Sequence, residues 1–361
     1  GAWRDLVTDG VIEGVGSVLV FLPQILILFF FLGVLEDTGY MSRAAFIVDR
    51  PLRALGLSGR AFIPLLSSYA CAVPGIIATR TIEDRRERLL TILVAPLMMC
   101  SAWLPVYTLL VGAFVPEGEL FLGIGRQGAV LTALYVGGAM AGSLAALVIG
   151  KFVLRGAKQA PIFELPPYRA PSPKAVFHRL RHRAAAFVVR AGTLIFAVAV
   201  VMWALAYFPR HEPVPGASPE TAAAVQLRES YAGRLGRAIE PAVAPLGFDW
   251  KVGIGLVASF AAREVFVATM GVVYAVGAEA TEDDPSLVGA FRNATFDGTE
   301  RRVFDPPTVA ALLVFYVIAP QCVSTLAIIR RETGKRRWAL FALAYLTLFA
   351  YVAAYAASKI V

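Results

Sequence analysis

Three cysteines and one carboxylate stand where an apolar chain rarely spends them. Cys71 lies between Pro64 and Pro74, Cys100 follows Pro96 by four residues, and Cys322 follows Pro320 by two. A proline inside a helix removes a backbone hydrogen bond and frees a carbonyl, so each thiol gains a neighbouring oxygen that can act as a further ligand. Glu264 is embedded with Arg263 in Ser259-Phe260-Ala261-Ala262-Arg263-Glu264-Val265-Phe266-Val267-Ala268-Thr269-Met270-Gly271. A charge at the centre of a spanning helix costs about 2.5–3.5 kcal/mol on insertion scales, so such residues are seldom idle. Adjacent helical residues do not face each other, which gives Arg263 exposed carbonyls as partners and Glu264 a cation or a hydroxyl. Thiolates, carbonyls and one carboxylate suit a borderline divalent cation such as Fe2+, whereas a hard ion wants more oxygen. The candidate metal ligands are therefore Cys71, Cys100, Cys322 and Glu264, with Ser67, Pro74, Pro96, Ser101 and Thr269 along the path. Each has a plainer reading. A buried free cysteine is ordinarily a small hydrophobe, Met98 and Met99 beside Cys100 read as core filler, and Arg263 or Glu264 can staple one segment to its neighbours.

The elements that must position these residues are membrane helices. Of 361 residues, 58% are hydrophobic and 17% charged, with a mean hydropathy of +0.66. Charge-free runs occupy 89–115, 128–150, 308–329 and 338–358, and two more, 11–35 and 187–208, keep Glu13 and Arg190 near their starts. Each matches the ~20 apolar residues a span requires, so the sequence predicts six spanning helices. The net charge of +8 is not a nucleic-acid signal, because the basic residues sit in short loops beside apolar runs, as the positive-inside rule has it. The cysteines all lie in apolar segments and form no disulfide framework. The first apolar run is too long for the core of a cleavable signal peptide.

Charge parity then shapes the remaining apolar segments. Loops 36–60 and 80–88 are both arginine-rich and prefer the cytoplasm, so the segment between them enters and returns. Residues 62–80 are apolar but broken by Ser, Cys and Pro, as an irregular segment lining a cavity must be. The basic linker 155–185 and the turn Arg330 to Arg337 share that side too, which makes 252–278 a second hairpin dipping in from outside. Loops 209–250 and 279–307 are then external. Each half reads helix, re-entrant hairpin, helix, helix, in opposite orientations: an all-α polytopic membrane fold built as an inverted repeat. The halves are 1–155, with gate hairpin 61–80, and 187–361, with gate hairpin 252–278, joined by a basic cytoplasmic linker, 156–186. Ala95-Pro96 through Cys100-Ser101 resembles Ala319-Pro320 through Cys322 and Ser324. Such repeats commonly hold their substrate at the repeat interface near the bilayer midplane.

Three function classes follow. A metal permease would depend on the thiols. A nucleoside-type solute carrier would use hydrogen-bonding side chains such as Ser67, Ser68 and Thr269, and a scaffold would have no polar route between its hairpins. No Ser/His/Asp or zinc-protease arrangement and no G-x-x-x-x-G-K-[ST] phosphate loop is present, so the chain reads as a transporter and not an enzyme. His178 and His182 are four apart among arginines, and read as an interfacial amphipathic helix touching lipid phosphates.

Longer motifs resemble a known family. Leu35-Glu36-Asp37-Thr38-Gly39-Tyr40-Met41-Ser42-Arg43, Gly56-Leu57-Ser58-Gly59-Arg60-Ala61-Phe62-Ile63-Pro64, Arg85-Arg86-Glu87-Arg88-Leu89-Leu90-Thr91, Ala261-Ala262-Arg263-Glu264-Val265-Phe266 and Gln321-Cys322-Val323-Ser324-Thr325 resemble the membrane domain of FeoB-type ferrous iron transporters. The resemblance runs nearly end to end. It implies a multi-pass importer of Fe2+ in the bacterial cell inner membrane, whose path is formed by two gate hairpins. It also implies an N-terminal GTP-binding domain, holding GTP and Mg2+, that this chain lacks. The expected partners are membrane lipid, a divalent metal, that GTP-binding domain and a second copy of the chain as a homo-oligomer, with no nucleic acid. Two departures bear on the metal. The family usually writes Gly-Phe-Gly-Cys-Asn-Val-Pro where this chain has Ser68-Tyr69-Ala70-Cys71-Ala72-Val73-Pro74, and Ser-Cys-Ser/Gly-Ala-Arg where it has Met99-Cys100-Ser101-Ala102-Trp103. Cysteines and prolines are kept while polar neighbours are lost, which leaves Mn2+ or Zn2+ open as cargo.

Overall fold

The computed structural model describes residues 4, 7–8, 12–121, 124–154, 167–210, 218–261, 263, 265–274, 276–277, 281–296, 299–320 and 322–360. Helix α1 (Glu13–Asp37) fills the first apolar run and stops before Gly39, whose φ of 80° ends the helical path. The amphipathic α2 (Tyr40–Ala54) follows where the sequence suggested a loop, and its buried Asp49 accepts the N–H of Gly59 at 2.8 Å. The first hairpin is α3 (Phe62–Ala70) and α4 (Ala72–Ala78). Gly75 lets its limbs touch, since a Cβ there would lie 2.0 Å from Ser68 Oγ. The next apolar run is divided into α5 (Arg85–Val94), tight turns at Ala95–Leu97 and Ser101–Trp103, and α6 (Leu104–Phe114).

A short antiparallel pair, β1 (Glu119–Phe121) with β2 (Ile124–Gly125), leads into α7 (Arg126–Val148). It is a small exception to the all-α expectation, set where Pro116 and Gly118 stop the helix. Helices α8 (Pro173–Phe187) and α9 (Thr193–Tyr207) bracket a wider helical turn. The expected external loop 209–250 is mostly helical, with α10 (Pro219–Glu229) and α11 (Tyr231–Val243). Ser218 caps the first of these by accepting the Thr221 N–H at 3.3 Å, as a serine ahead of Pro219-Glu220-Thr221 does at a helix start. The chain then turns by 106° into α12 (Trp250–Ala261), which with α13 (Val265–Val273) forms the second hairpin. After α14 (Pro285–Asn293), the run at 306–333 is split into α15 (Pro306–Ile318) and α16 (Val323–Thr333), and α17 (Arg336–Ile360) ends the described chain.

Four stretches among the described residues are long and apolar enough to cross a membrane: Arg85–Phe114, Arg126–Val153, Pro306–Thr333 and Arg336–Ile360. Two of them are interrupted, so the helices expected at 89–115 and 308–329 are each two half-helices. The pattern of sizes identifies the solvent. Helix α7 buries Gly138, Ala141, Gly142, Ala145 and Ala146 while exposing Val136, Met140, Leu144 and Leu147. Small residues inward and large apolar residues outward is the arrangement of a helix whose outer face meets lipid. Helix α17 repeats it, with Ala342, Leu346, Ala350 and Ala354 buried at intervals of four against α15 and Leu340, Leu348 and Val352 outside. At the centre, Leu90, Leu93, Leu109, Leu110 and Leu312 are fully enclosed.

Candidate functional site

Each cysteine immediately precedes a new helical segment, as its N-cap. Cys71 is extended (φ −158°, ψ 129°) ahead of α4, Cys100 (φ −78°, ψ 157°) opens the turn into α6, and Cys322 (φ −56°, ψ 159°) opens α16. Their carbonyls accept the first bonds of those segments, from Gly75 at 3.3 Å, Trp103 at 3.1 Å and Thr325 at 2.9 Å. The local causes are legible. Pro320 disfavours helix at Ala319, whose ψ of 148° ends α15, and Pro96 sits buried in the tight turn after α5. In the first hairpin, the Ser67 and Ser68 hydroxyls donate back to the Ile63 and Pro64 carbonyls, both at 2.8 Å, which fixes the two side chains against their own helix. The prolines thus lie next to broken helices as expected, and helix starts put unpaired backbone N–H groups, with their partial positive charge, beside every sulfur.

The breaks are tied to one another. Ser101 Oγ donates to the Ala70 carbonyl at 3.0 Å, joining the residue after Cys100 to the residue before Cys71. Helix α4 packs against α16, which begins at Cys322. Arg263, in the turn between α12 and α13, donates through Nη2 to the Ala319 carbonyl at 3.3 Å and to the Pro320 carbonyl. Its guanidinium carbon lies 3.3 Å from the ring centre of Trp103. One side chain of the second hairpin therefore spans the Cys100 and Cys322 breaks, bonding to the exposed carbonyls anticipated for it. Around it stand buried aromatic residues that sequence reasoning passed over: Trp103 meets Tyr316 edge-on at 4.8 Å, Phe266 meets Tyr316 at 5.3 Å, and the Tyr316 hydroxyl bonds Ser259 Oγ at 3.2 Å. A hydroxyl-bearing ring in the middle of a charge-free run is the signal that could have found Tyr107 and Tyr316.

Other expected residues fall outside this junction. Glu264 lies outside the described residues, as does Gln321. Thr269 is half-buried on α13, further along the hairpin. Ser67 and Pro74 line a cavity of about 310 Å³, together with Glu36, Arg80 and His182. Among the described residues no three His, Cys, Asp or Glu side chains gather closely enough to hold a metal ion. His178 and His182 are exposed on α8, which packs along α1.

Charged clasps close the arginine-rich side. Glu332, at the end of α16, accepts two bonds from Arg80 at 2.8 and 2.6 Å and one from Arg88 at 2.8 Å, with its side chain only 2% exposed. The enclosed Asp37 holds the linker: it accepts from Arg169 at 2.8 Å, Arg179 at 3.3 Å and the Ser172 N–H at 2.7 Å.

A family model described as nucleoside recognition, the Gate family, matches residues 18–114 and 188–336, and one described as the ferrous iron transport protein B C terminus matches 131–183. The chain belongs to the Gate family. The two stretches matched to Gate contain both hairpins and all three cysteines, so the junction just described lies within the family's own boundaries. A Leptospira interrogans protein named Fe(2+) transporter FeoB is 43% identical over 97% of this chain and 50% of its own length. A Staphylococcus aureus (strain COL) protein of the same name is 41% identical over 97% and 48%. A Porphyromonas gingivalis protein, named as a fusion of Fe(2+) transport protein A and FeoB, is 38% identical over 98% and 44%. The FeoB-type chain described here thus spans about half the length of the curated relatives it matches. No solved structure gives a significant match.

Proposed function

We propose that this chain is the translocation path of a ferrous iron importer of the bacterial inner membrane. The observation that carries the reading is the junction: three thiol-bearing helix breaks, two of them linked through Arg263 and two through Ser101. The relatives' names supply the cargo, Fe(2+). An entering ion sheds water onto sulfur and carbonyl oxygen in turn, a mixed donor set suited to a borderline cation. Cys71, Cys100 and Cys322 serve as ligands, and Glu264 offsets the charge of the dehydrated ion. The ion leaves past Ser67 and Pro74 through the cavity edged by Glu36 and His182.

The architecture proposed with it is an inverted repeat of 1–155 and 187–361 around the linker 156–186. The order helix, amphipathic helix, hairpin, broken helix, helix in 13–148, found again in 193–360 with α10 and α14 inserted, supports it. GTP and Mg2+ belong to a preceding domain of the longer protein, and self-association supplies any further subunit contact. Mn2+ or Zn2+ as cargo is the second reading, favoured by the altered neighbours of Cys71 and Cys100. The deciding experiment is uptake of radioactive iron by the full-length protein in vesicles, with Mn2+ and Zn2+ as competitors. Iron uptake that resists a tenfold excess of either supports the Fe2+ reading, and preferential uptake of a competitor replaces it.

A further inference from the structure

We propose that Arg263 is a tethered cation that keeps the path shut by occupying the carbonyl oxygens an arriving divalent ion needs, and that the ion enters by displacing it. The proposal rests on the reading of this junction as a metal path. Arg263 is 3% exposed, at the turn of a hairpin inside the membrane domain. Among the described residues its partners are the Ala319 and Pro320 carbonyls and the face of Trp103, with no carboxylate. Those carbonyls are free because Pro320 ends α15, and broken-helix carbonyls are the groups that coordinate cations in membrane carriers. Cys100, Cys322, Tyr107 and Tyr316 are its electrostatic neighbours. A guanidinium in this seat presents a full positive charge to the two thiols, so a divalent ion and Arg263 cannot share it.

The hold is incomplete. Among the described residues, Arg263 Nε and the hydroxyl of Tyr107 are both buried with no hydrogen-bond partner. Buried donors are seldom left so, and two unmade bonds beside one another mark an arrangement with a competing alternative. The stack on Trp103 is the kind of contact that fastens a cation without neutralising it. A structural staple would be fully bonded, whereas a plug must be releasable.

The test uses the full-length protein in liposomes loaded with a dye quenched by divalent metals. Arg263→Gln, which removes the charge, should raise passive Mn2+ and Fe2+ influx down a gradient by tenfold or more, while Arg263→Lys, which keeps it, should stay within about threefold of the parent. Influx by the Gln variant equal to or below the parent's, at an unchanged melting temperature, overturns the proposal, as does a Lys variant as leaky as Gln. Should Gln fail to fold, Cd2+ titration of the parent protein decides. Displacement of the guanidinium predicts a change in tryptophan emission that disappears in Trp103→Phe, and Cd2+ binding without that change overturns the plug. Cys322→Ser run alongside separates the two readings. If it abolishes iron uptake while Arg263→Gln does not leak, the plug alone fails, and if it leaves uptake intact, the metal path fails with it.

Discussion

Replacing Cys71 or Cys322 by Ser keeps volume nearly constant and exchanges a polarizable sulfur for a hard hydroxyl, so a thiol-dependent path should lose iron uptake while the fold survives. We expect each variant to fall about tenfold or more, the size that loss of even an outer-shell metal contact can have; unchanged uptake and affinity in the double variant would return both residues to packing. Glu264 is tested the same way. Glu264→Gln removes charge but keeps shape, and should cut transport strongly, with Glu264→Asp retaining part of it. Normal transport by Gln, together with a lowered melting temperature for Ala, would make the residue an anchor. At this scale the sequence was informative where it broke a rule: cysteine beside proline, and arginine inside an apolar run. It was silent on Trp103, Tyr107 and Tyr316, because an aromatic residue among apolar neighbours looks like core until a cation is placed against it.

Elements carry their own tests. Glu332→Ala would leave Arg80 and Arg88 without their shared acceptor; both arginines are partly exposed, so the loss should be about 1–3 kcal/mol, below that of a fully buried pair, read as a lower melting temperature. Gly75→Ala forces α3 and α4 apart, since the new carbon would sit 2.0 Å from Ser68 Oγ, and should cost about 1–3 kcal/mol and disturb the Cys71 break. Asp37→Asn removes the charge that three groups of the linker share, and should speed tryptic cleavage after Arg169 and Lys174 at neutral pH; an unchanged rate would show that apolar contacts of α8 on α1 suffice. Helix pairs at 62–78 and 250–273 stand where the sequence places hairpins, 61–80 and 252–278, and the proposal that each enters and returns on one side rests on the arginine-rich loops that flank it. The breaks at Cys100 and Cys322 were marked by Pro96 and Pro320, but their extent was not, because hydropathy averages over a span and cannot see that Ala319 has turned extended. Helices α2 and α11 were missed for the opposite reason, their polar faces reading as loop.

Across the whole molecule, the topology makes the sharpest statement. Cysteines introduced at Asp84 and Asp283 should label from opposite sides of a sealed vesicle, Asp283→Cys from outside and Asp84→Cys only after permeabilisation, and the reverse pattern would reject the two-hairpin arrangement. The general class was readable from composition, because charge-free runs of this length have few other uses. What composition could not supply is which faces meet: the small-residue stripe of α17 against α15, or α4 against α16, depend on sizes matched across distant segments.

The Glu332 clasp joins residues 252 and 244 positions apart. During synthesis, at about 5–20 residues per second, Arg80 therefore waits roughly 13–50 s for its acceptor to be made. The first hairpin has its arginines unclasped throughout that interval, and α16 arrives, just after Cys322, in the same stretch of chain as Glu332. A ribosome that stalls before this point leaves a product with neither the third thiol nor the clasp, and on the proposed function that product is half a path, expected to conduct nothing.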